Sequence, residues 1–261
     1  MTIGTVRAVG LGFLLALAPA SAGASGARPP VALTASPAHV ELAGAARATV
    51  RVTNAGVDRV VLDVRRAGFA LDLRGRPRIV PQRGVGRSAA TWLSVHPRML
   101  ALKPDATGAV TIGSRLPPRA EPGDHDALVL FTTRRRAEDG VAVRMRMGVV
   151  VVVRAPGTVV RRLELRGLRV ASRGRARVLE LVVANRGNVT ESFTRTQAIV
   201  SLHRAGRRVA RLTADPSDLR PGTRGVLQFR YRGSLTGRVT ARVDVTSDSG
   251  RILRRTLRVR L

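Results

Sequence analysis

The sequence predicts an all-β protein made of two tandem immunoglobulin-like β-sandwich domains, and three observations predict it. Nearly every segment alternates apolar and polar residues with period two, while helical periodicity is scarce. Clusters of Gly, Pro, Asn and Asp punctuate these segments at roughly 8–15-residue intervals, the spacing of a sandwich of antiparallel sheets. An alternating apolar run ending in Asn-x-Gly occurs twice, at Asn54-Ala55-Gly56 and at Asn185-Arg186-Gly187, about one sandwich domain apart. Asn and Gly tolerate φ > 0 without a Cβ clash, so each copy reads as a strand ending in a tight turn.

In the first half, Val50 and Val52 face one way and Thr49, Arg51 and Thr53 the other. Further strands are expected at Val60–Val64, Phe69–Leu73, Trp92–Val95, Ala109–Ile112, Leu128–Phe131 and Val141–Val153. The turns between them carry Arg74-Gly75-Arg76-Pro77, Lys103-Pro104-Asp105, Pro117-Pro118, Glu121-Pro122-Gly123-Asp124 and Asp139-Gly140. The last strand is unusual. Val141, Val143, Met145 and Met147 alternate with Ala142, Arg144 and Arg146, and five consecutive valines follow Gly148. A continuous β-branched run needs both faces covered, which predicts a central or shielded strand. Arg154-Ala155-Pro156-Gly157 then breaks the chain between domains.

The second half begins at Val159. Val178–Ala184 runs into the second Asn-x-Gly, and Ala198–Leu202 and Val209–Leu212 flank the turn Arg204-Ala205-Gly206. Val226–Tyr231 follows Arg220-Pro221-Gly222, and Val239, Ala241, Val243 and Val245 face inward opposite Arg238, Thr240, Arg242 and Asp244. Ser247-Asp248-Ser249-Gly250 turns into a final strand from Ile252 to Leu261. The resulting division is a signal peptide at 1–22, a first sandwich at 23–157 and a second at 158–261.

The signal rests on Arg7 as a positive n-region, a short apolar run from Val9 through Leu17, and Ala20-Ser21-Ala22 as small residues before cleavage. Cleavage after Ala20 or retention as an N-terminal anchor are the alternatives. No Cys is present, which removes a disulfide framework and a lipidated Cys at the cleavage site. No second apolar run reaches the ~18–20 residues of a membrane helix, and the chain closes on strand-like Leu257–Leu261, so no C-terminal anchor is expected. The protein is therefore expected to be exported, to the cell surface, cell wall or extracellular space.

Net charge is +29, carried by arginine, with Lys103 the sole lysine and the C-terminal half the more basic. Such a polycation is attracted to polyanions, and Arg238, Arg242, Arg258 and Arg260 occupy outward positions suited to that contact. GC-rich codon usage is the preferred explanation of the arginine excess, and selection for an anionic partner the alternative. A specific nucleic-acid partner is disfavoured because aromatics to stack bases are so few: five Phe, one Tyr, one Trp. His39, His96, His125 and His203 lie on four separate segments, and Asp124-His125-Asp126 reads as solvated turn residues rather than a cation site. Without a nucleophile elbow, Walker loop, His-Glu-x-x-His or Cys nucleophile, no enzyme, cofactor or small-molecule substrate is expected. Trp92 reads as a core aromatic in preference to a sugar-stacking platform.

Over residues 33–155, Pro37 before a strand, Asn54-x-Gly56, Trp92-Leu93-x-Val95-x-Pro97, Leu100-x-Leu102-x-Pro104 and Ala120-x-Pro122-Gly123 form a recognisable order. It resembles the peptidoglycan-binding module of the WxL-interacting cell-surface proteins, an immunoglobulin-like relative of pilus chaperones. Val182-Val183-x-Asn185-x-Gly187-Asn188 resembles that family's second module, assigned to binding of host or partner proteins. The chain departs from the family in stopping at Leu261, where members usually continue into a membrane helix and basic tail. The signal peptide, the two-module pattern, the missing catalytic constellation and the resemblance together imply a non-catalytic envelope protein binding an anionic cell-wall polymer or a surface protein; the arginine charge implies peripheral wall or membrane association. The alternative is an assembly chaperone for secreted surface or pilus subunits, which would pair a strand through Val141, Val143, Met145 and Met147. A nonspecific polyanion or nucleic-acid binder is the third reading.

Overall fold

The computed structural model describes residues 28–80, 86–134, 144–173 and 176–261. The expected signal peptide, and Val141 and Val143 of the expected pairing strand, lie outside the described residues. The fold is all-β, two tandem immunoglobulin-like sandwiches, with no helix among the described residues. Two compact units divide the chain: one takes residues up to 69, 79–121 and 125–156, the other 70–78, 122–124 and 157–261.

The first sandwich is carried by β1 (Leu33–Ser36), β2 (His39–Ala43), β3 (Arg47–Asn54), β4 (Val60–Leu71), β5 (Pro77–Val80), β6 (Leu93–His96), β7 (Met99–Leu102), β8 (Thr107–Ser114), β9 (Gly123–Thr133) and β10 (Arg146–Ala155). One sheet has the order β1-β3-β8-β6, and the other β2-β10-β9-β4-β5 with β7 also paired to β4. Each edge segment passes between sheets: β1 continues as β2 after the cis Ser36–Pro37 bond, and β6 as β7 after the cis His96–Pro97 bond. Alternation builds the core, with Val50, Val52, Val110 and Ile112 of one sheet packed on Leu62, Val64, Val129, Phe131, Val149, Val151 and Val153 of the other.

The expected strands Val60–Val64 and Phe69–Leu73 are one strand, β4. Val60, Leu62 and Val64 are buried, but Arg65 and Arg66 are both exposed before Gly68 and Phe69 are buried again. Two charged neighbours interrupt the hydrophobic pattern without interrupting the ladder to β9, which pairs Arg65 with Leu130 and Arg66 with Val129.

The second sandwich comprises β11 (Leu163–Arg173), β12 (Ala176–Asn185), β13 (Glu191–Phe193), β14 (Ala198–Arg204), β15 (Arg207–Thr213), β16 (Ser217–Leu219), β17 (Arg224–Tyr231), β18 (Arg238–Thr246) and β19 (Ile252–Arg260). Its sheets are β11-β12-β17 and β15-β14-β18-β19, with β13 and β16 forming a small pair. Leu179, Leu181, Val183 and Phe229 meet Val200, Leu202, Ala241 and Val243 in the core.

Both sandwiches are pinned by the same asparagine corner. Asn54 is fully buried; its Nδ2 donates to the carbonyls of Asp58 (2.7 Å) and Lys103 (3.2 Å), and its Oδ1 accepts the Gly56 N–H at 3.1 Å. Asn185 repeats this with Val189 (2.8 Å), Leu219 (2.9 Å) and Gly187 (2.8 Å). A carboxamide alone among short side chains supplies two donors and an acceptor in one plane. Left-handed backbone is not why the glycines are there, contrary to the sequence expectation, since neither is among the positive-φ residues. A Cβ on Gly56 would lie 2.5 Å from the Pro30 carbonyl oxygen, and one on Gly187 2.2 Å from that of Val160. Close approach of a second backbone segment demands them.

Candidate strand-pairing site

The strand singled out in the sequence is only partly paired. β10 runs parallel to β2, but the ladder begins at Val150, opposite His39, and ends at Arg154. The Val150 N–H donates to Ala38 O at 3.0 Å, and Gly44 N–H donates to Arg154 O at 2.9 Å, so even-numbered residues of β10 direct their main-chain groups toward β2. Odd-numbered residues direct theirs toward β9, as in the Thr133 N–H donating to Met145 O at 3.0 Å. It follows that the N–H and C=O of Arg146 and Gly148 point to a side where no described strand lies.

The side chains of this segment obey the same alternation. Met147 is half-buried against the first core cluster, Val149 is fully buried, Met145 is half-buried, and Arg146 and Gly148 are exposed. Methionine is unbranched and polarizable, so such positions accept irregular apolar surfaces. Thr133 fastens the start of the segment, its hydroxyl accepting the Met145 N–H at 2.9 Å. An open edge beside alternating apolar side chains is the arrangement needed to add a strand from another chain. Val150 through Val153 lie between β2 and β9, and Val149, Val151, Val152 and Val153 are buried, so this stretch is central as the sequence predicts.

Arg238, Arg242, Arg258 and Arg260 are all exposed on β18 and β19. Arg238 stands directly opposite Arg260, while Arg258 faces Thr240 and Arg242 faces Thr256. They form an outward cationic face of the second sandwich.

The cluster Asp124-His125-Asp126 departs from expectation. It begins β9 instead of sitting in a solvated turn, and Asp124 and His125 are buried. His125 packs against Trp92 in a tilted arrangement, with ring centroids 4.2 Å apart, and its Nε2 meets Glu121 O at 2.8 Å. Burial holds the imidazole below its ordinary value. Asp124 accepts the Thr190 N–H at 2.7 Å. Among the described residues no group of three or more His, Asp or Glu is placed to hold a metal.

Sequence reasoning missed two buried carboxylates of the second sandwich. Glu180 accepts from Arg169 Nε at 2.7 Å and Gln228 Nε2 at 3.2 Å, and Glu191 accepts from Arg161 at 2.9 Å and from the Asp248 N–H at 2.9 Å. Both are satisfied structural groups, as buried charges must be. The available signal was an acid on a strand otherwise flanked by apolar residues, in Val178-Leu179-Glu180-Leu181.

No family model and no curated protein matches the chain. Solved structures similar to it include the class 5 fimbriae chaperone CfaA, at 10% identity over 86% of this chain and 98% of that one, with a TM-score of 0.49. The CupB2 chaperone of Pseudomonas aeruginosa is similar at 15% identity over 85% and 98%, with a TM-score of 0.39. The chaperone DraB of E. coli is similar at 10% identity over 88% and 98%, with a TM-score of 0.44. The expectation of an envelope protein binding cell-wall polymer is corrected here: the similar solved structures are described as chaperones, not as wall-binding modules. Of the resemblance read from the sequence, the likeness to pilus chaperones is the part that these structures reproduce.

Proposed function

We propose that the protein is a non-catalytic assembly chaperone, exported from the cell, that pairs the open edge of β10 with an extended segment of an incompletely folded secreted subunit. The observation that carries this reading is the unpaired main chain of Arg146 and Gly148 beside the half-buried Met145 and Met147. A subunit lacking a strand gains main-chain hydrogen bonds from this edge and apolar cover from the methionines. The outward face of Arg238, Arg242, Arg258 and Arg260 adds long-range attraction to an acidic partner without selecting it.

Capture of the tagged full-length protein from its native host tests the proposal. Wild type is expected to bring down one secreted polypeptide in one-to-one ratio, and that polypeptide to disappear from cells lacking the chaperone. Met145→Asp with Met147→Asp should abolish capture while the isolated protein stays folded. Equal recovery of the partner by wild type and the double variant would refute it.

A further inference from the structure

The opposite edge of the first sandwich has a different chemistry. The Arg115 N–H donates to Trp92 O at 2.9 Å, so in the antiparallel pairing with β8 the main chain of Ser94 and His96 also points at β8. That of Leu93 and Val95 points away, to the free edge of β6. Arg66 reaches this edge from the other sheet. It has the parity of Val60, Leu62 and Val64, the residues of β4 that face the core, and its guanidinium donates to Leu93 O. A charge at an inward register position is tolerable here because the sandwich is open at this edge and Arg66 stays exposed.

Two adjoining clefts, of about 770 and 740 Å³, share Arg66 and Ser94. One is also lined by Arg47 and Arg115, the other by Val95 and Arg98. Arg47, Arg98 and Arg115 are exposed and have no carboxylate partner among the described residues, and the one acid in the lining, Asp63, is held by Arg134 at 2.9 Å. Arg66, Arg98 and Arg115 flank β6 itself, while Arg47 stands on β3, across β8 from Ser94; guanidinium groups spread over this length beside free main-chain groups match a linear anion better than a compact one.

We propose that the free edge of β6 is a docking site for an extended acidic segment of a protein partner, whose main chain pairs with Val95 and whose carboxylates are taken by Arg47, Arg66, Arg98 and Arg115. Charge complementarity selects an acidic peptide over a second copy of this strongly basic chain. Nucleic acid is disfavoured because Trp92 is the single aromatic lining either cleft, too few rings to stack successive bases. The site is independent of strand pairing at β10.

Fluorescence anisotropy of the full-length protein with a labelled alternating Glu-Thr peptide tests the proposal. Arg47→Glu with Arg115→Glu should weaken binding by roughly tenfold or more, and Arg98→Ala by a few-fold. Arg238→Glu with Arg242→Glu, which changes charge equally, should weaken it less than about twofold. Replacing alternate Thr by Pro in the peptide should weaken binding at unchanged charge, because proline cannot pair with an edge. Met145→Asp with Met147→Asp should leave peptide binding intact even though it abolishes capture of a subunit, so failure of either proposal is distinguishable from failure of the other. Equal losses from the two charge-reversal pairs, or indifference to proline, would reduce the effect to general attraction and overturn the site. An oligothymidylate of matched charge bound as tightly, and lost with the same Arg47 and Arg115 reversals, would overturn the peptide assignment in favour of nucleic acid.

Discussion

The two sandwiches share a corner and differ at their edges. Asn54 and Asn185 make the same three hydrogen bonds, and each is followed by a glycine against which another backbone packs. The second sandwich covers its edges with arginine: β15 begins Arg207-Arg208, and Arg255 of β19 donates to the carbonyls of Leu165 and Arg166, where a bulge interrupts the pairing of β11 with β12. The first sandwich caps only the Leu93 carbonyl of β6 with Arg66, leaving Val95 free, and leaves the start of β10 open with no charge over it among the described residues. The difference teaches that an exposed ladder is not a by-product of this fold, because the same chain elsewhere closes such edges with charge.

Trp92 is the sole tryptophan and Tyr231 the sole tyrosine, and they lie in different sandwiches, so each reports on one. The largest expected effect is on the shared corner. Gly56→Ala and Gly187→Ala each force a Cβ into a carbonyl oxygen and should unfold the corresponding sandwich; Asn54→Ala and Asn185→Ala should each cost about 2–4 kcal/mol through unpartnered buried main-chain groups. Urea titrations followed by the two fluorophores check this, and tolerance of the change at one corner only would break the equivalence.

Next comes Arg255→Ala. Freeing the carbonyls of Leu165 and Arg166 should cost about 1 kcal/mol and raise self-association detectable by sedimentation velocity. A smaller effect separates the sandwiches by pH. His125 is buried neutral, so stability of the first sandwich should be complete above the unfolded imidazole value of ~6.5 and be lost as pH falls through the lowered folded value. Trp92-detected urea midpoints should drop over that range, and His125→Gln should flatten the dependence. Smallest is reversal of Arg238, Arg242, Arg258 and Arg260 to Glu, which leaves the inward Val and Leu face untouched and should shift the thermal midpoint little; a large drop would show that the face is structural.

Alternation with turn chemistry was enough to read the all-β class and the two-sandwich repeat, because side-chain parity and Gly/Pro punctuation are local properties. The reason for Gly56 and Gly187 was not legible, since it depends on a segment from elsewhere in the fold. Arg66 was hidden because it falls between the two strands expected at Val60–Val64 and Phe69–Leu73, although its parity with Val60, Leu62 and Val64 was visible. Asp124 and His125 looked solvated beside Pro122-Gly123; only tertiary packing on Trp92 and pairing with Thr190 bury them. At the candidate site, Met145 and Met147 were legible as alternating apolar positions, but the vacancy beside them was not, because where β2 begins pairing is a long-range property.

Amide hydrogen exchange along β10 tests the central claim most directly. In the free protein the Arg146 and Gly148 amides should exchange rapidly, while Val150, Val152 and Arg154, which direct their main chain to β2, should be protected. In the one-to-one complex with its captured subunit, Arg146 and Gly148 should become protected as an added strand completes the ladder. Protection of these two amides already in the free protein, or their continued rapid exchange in the complex, would contradict the account.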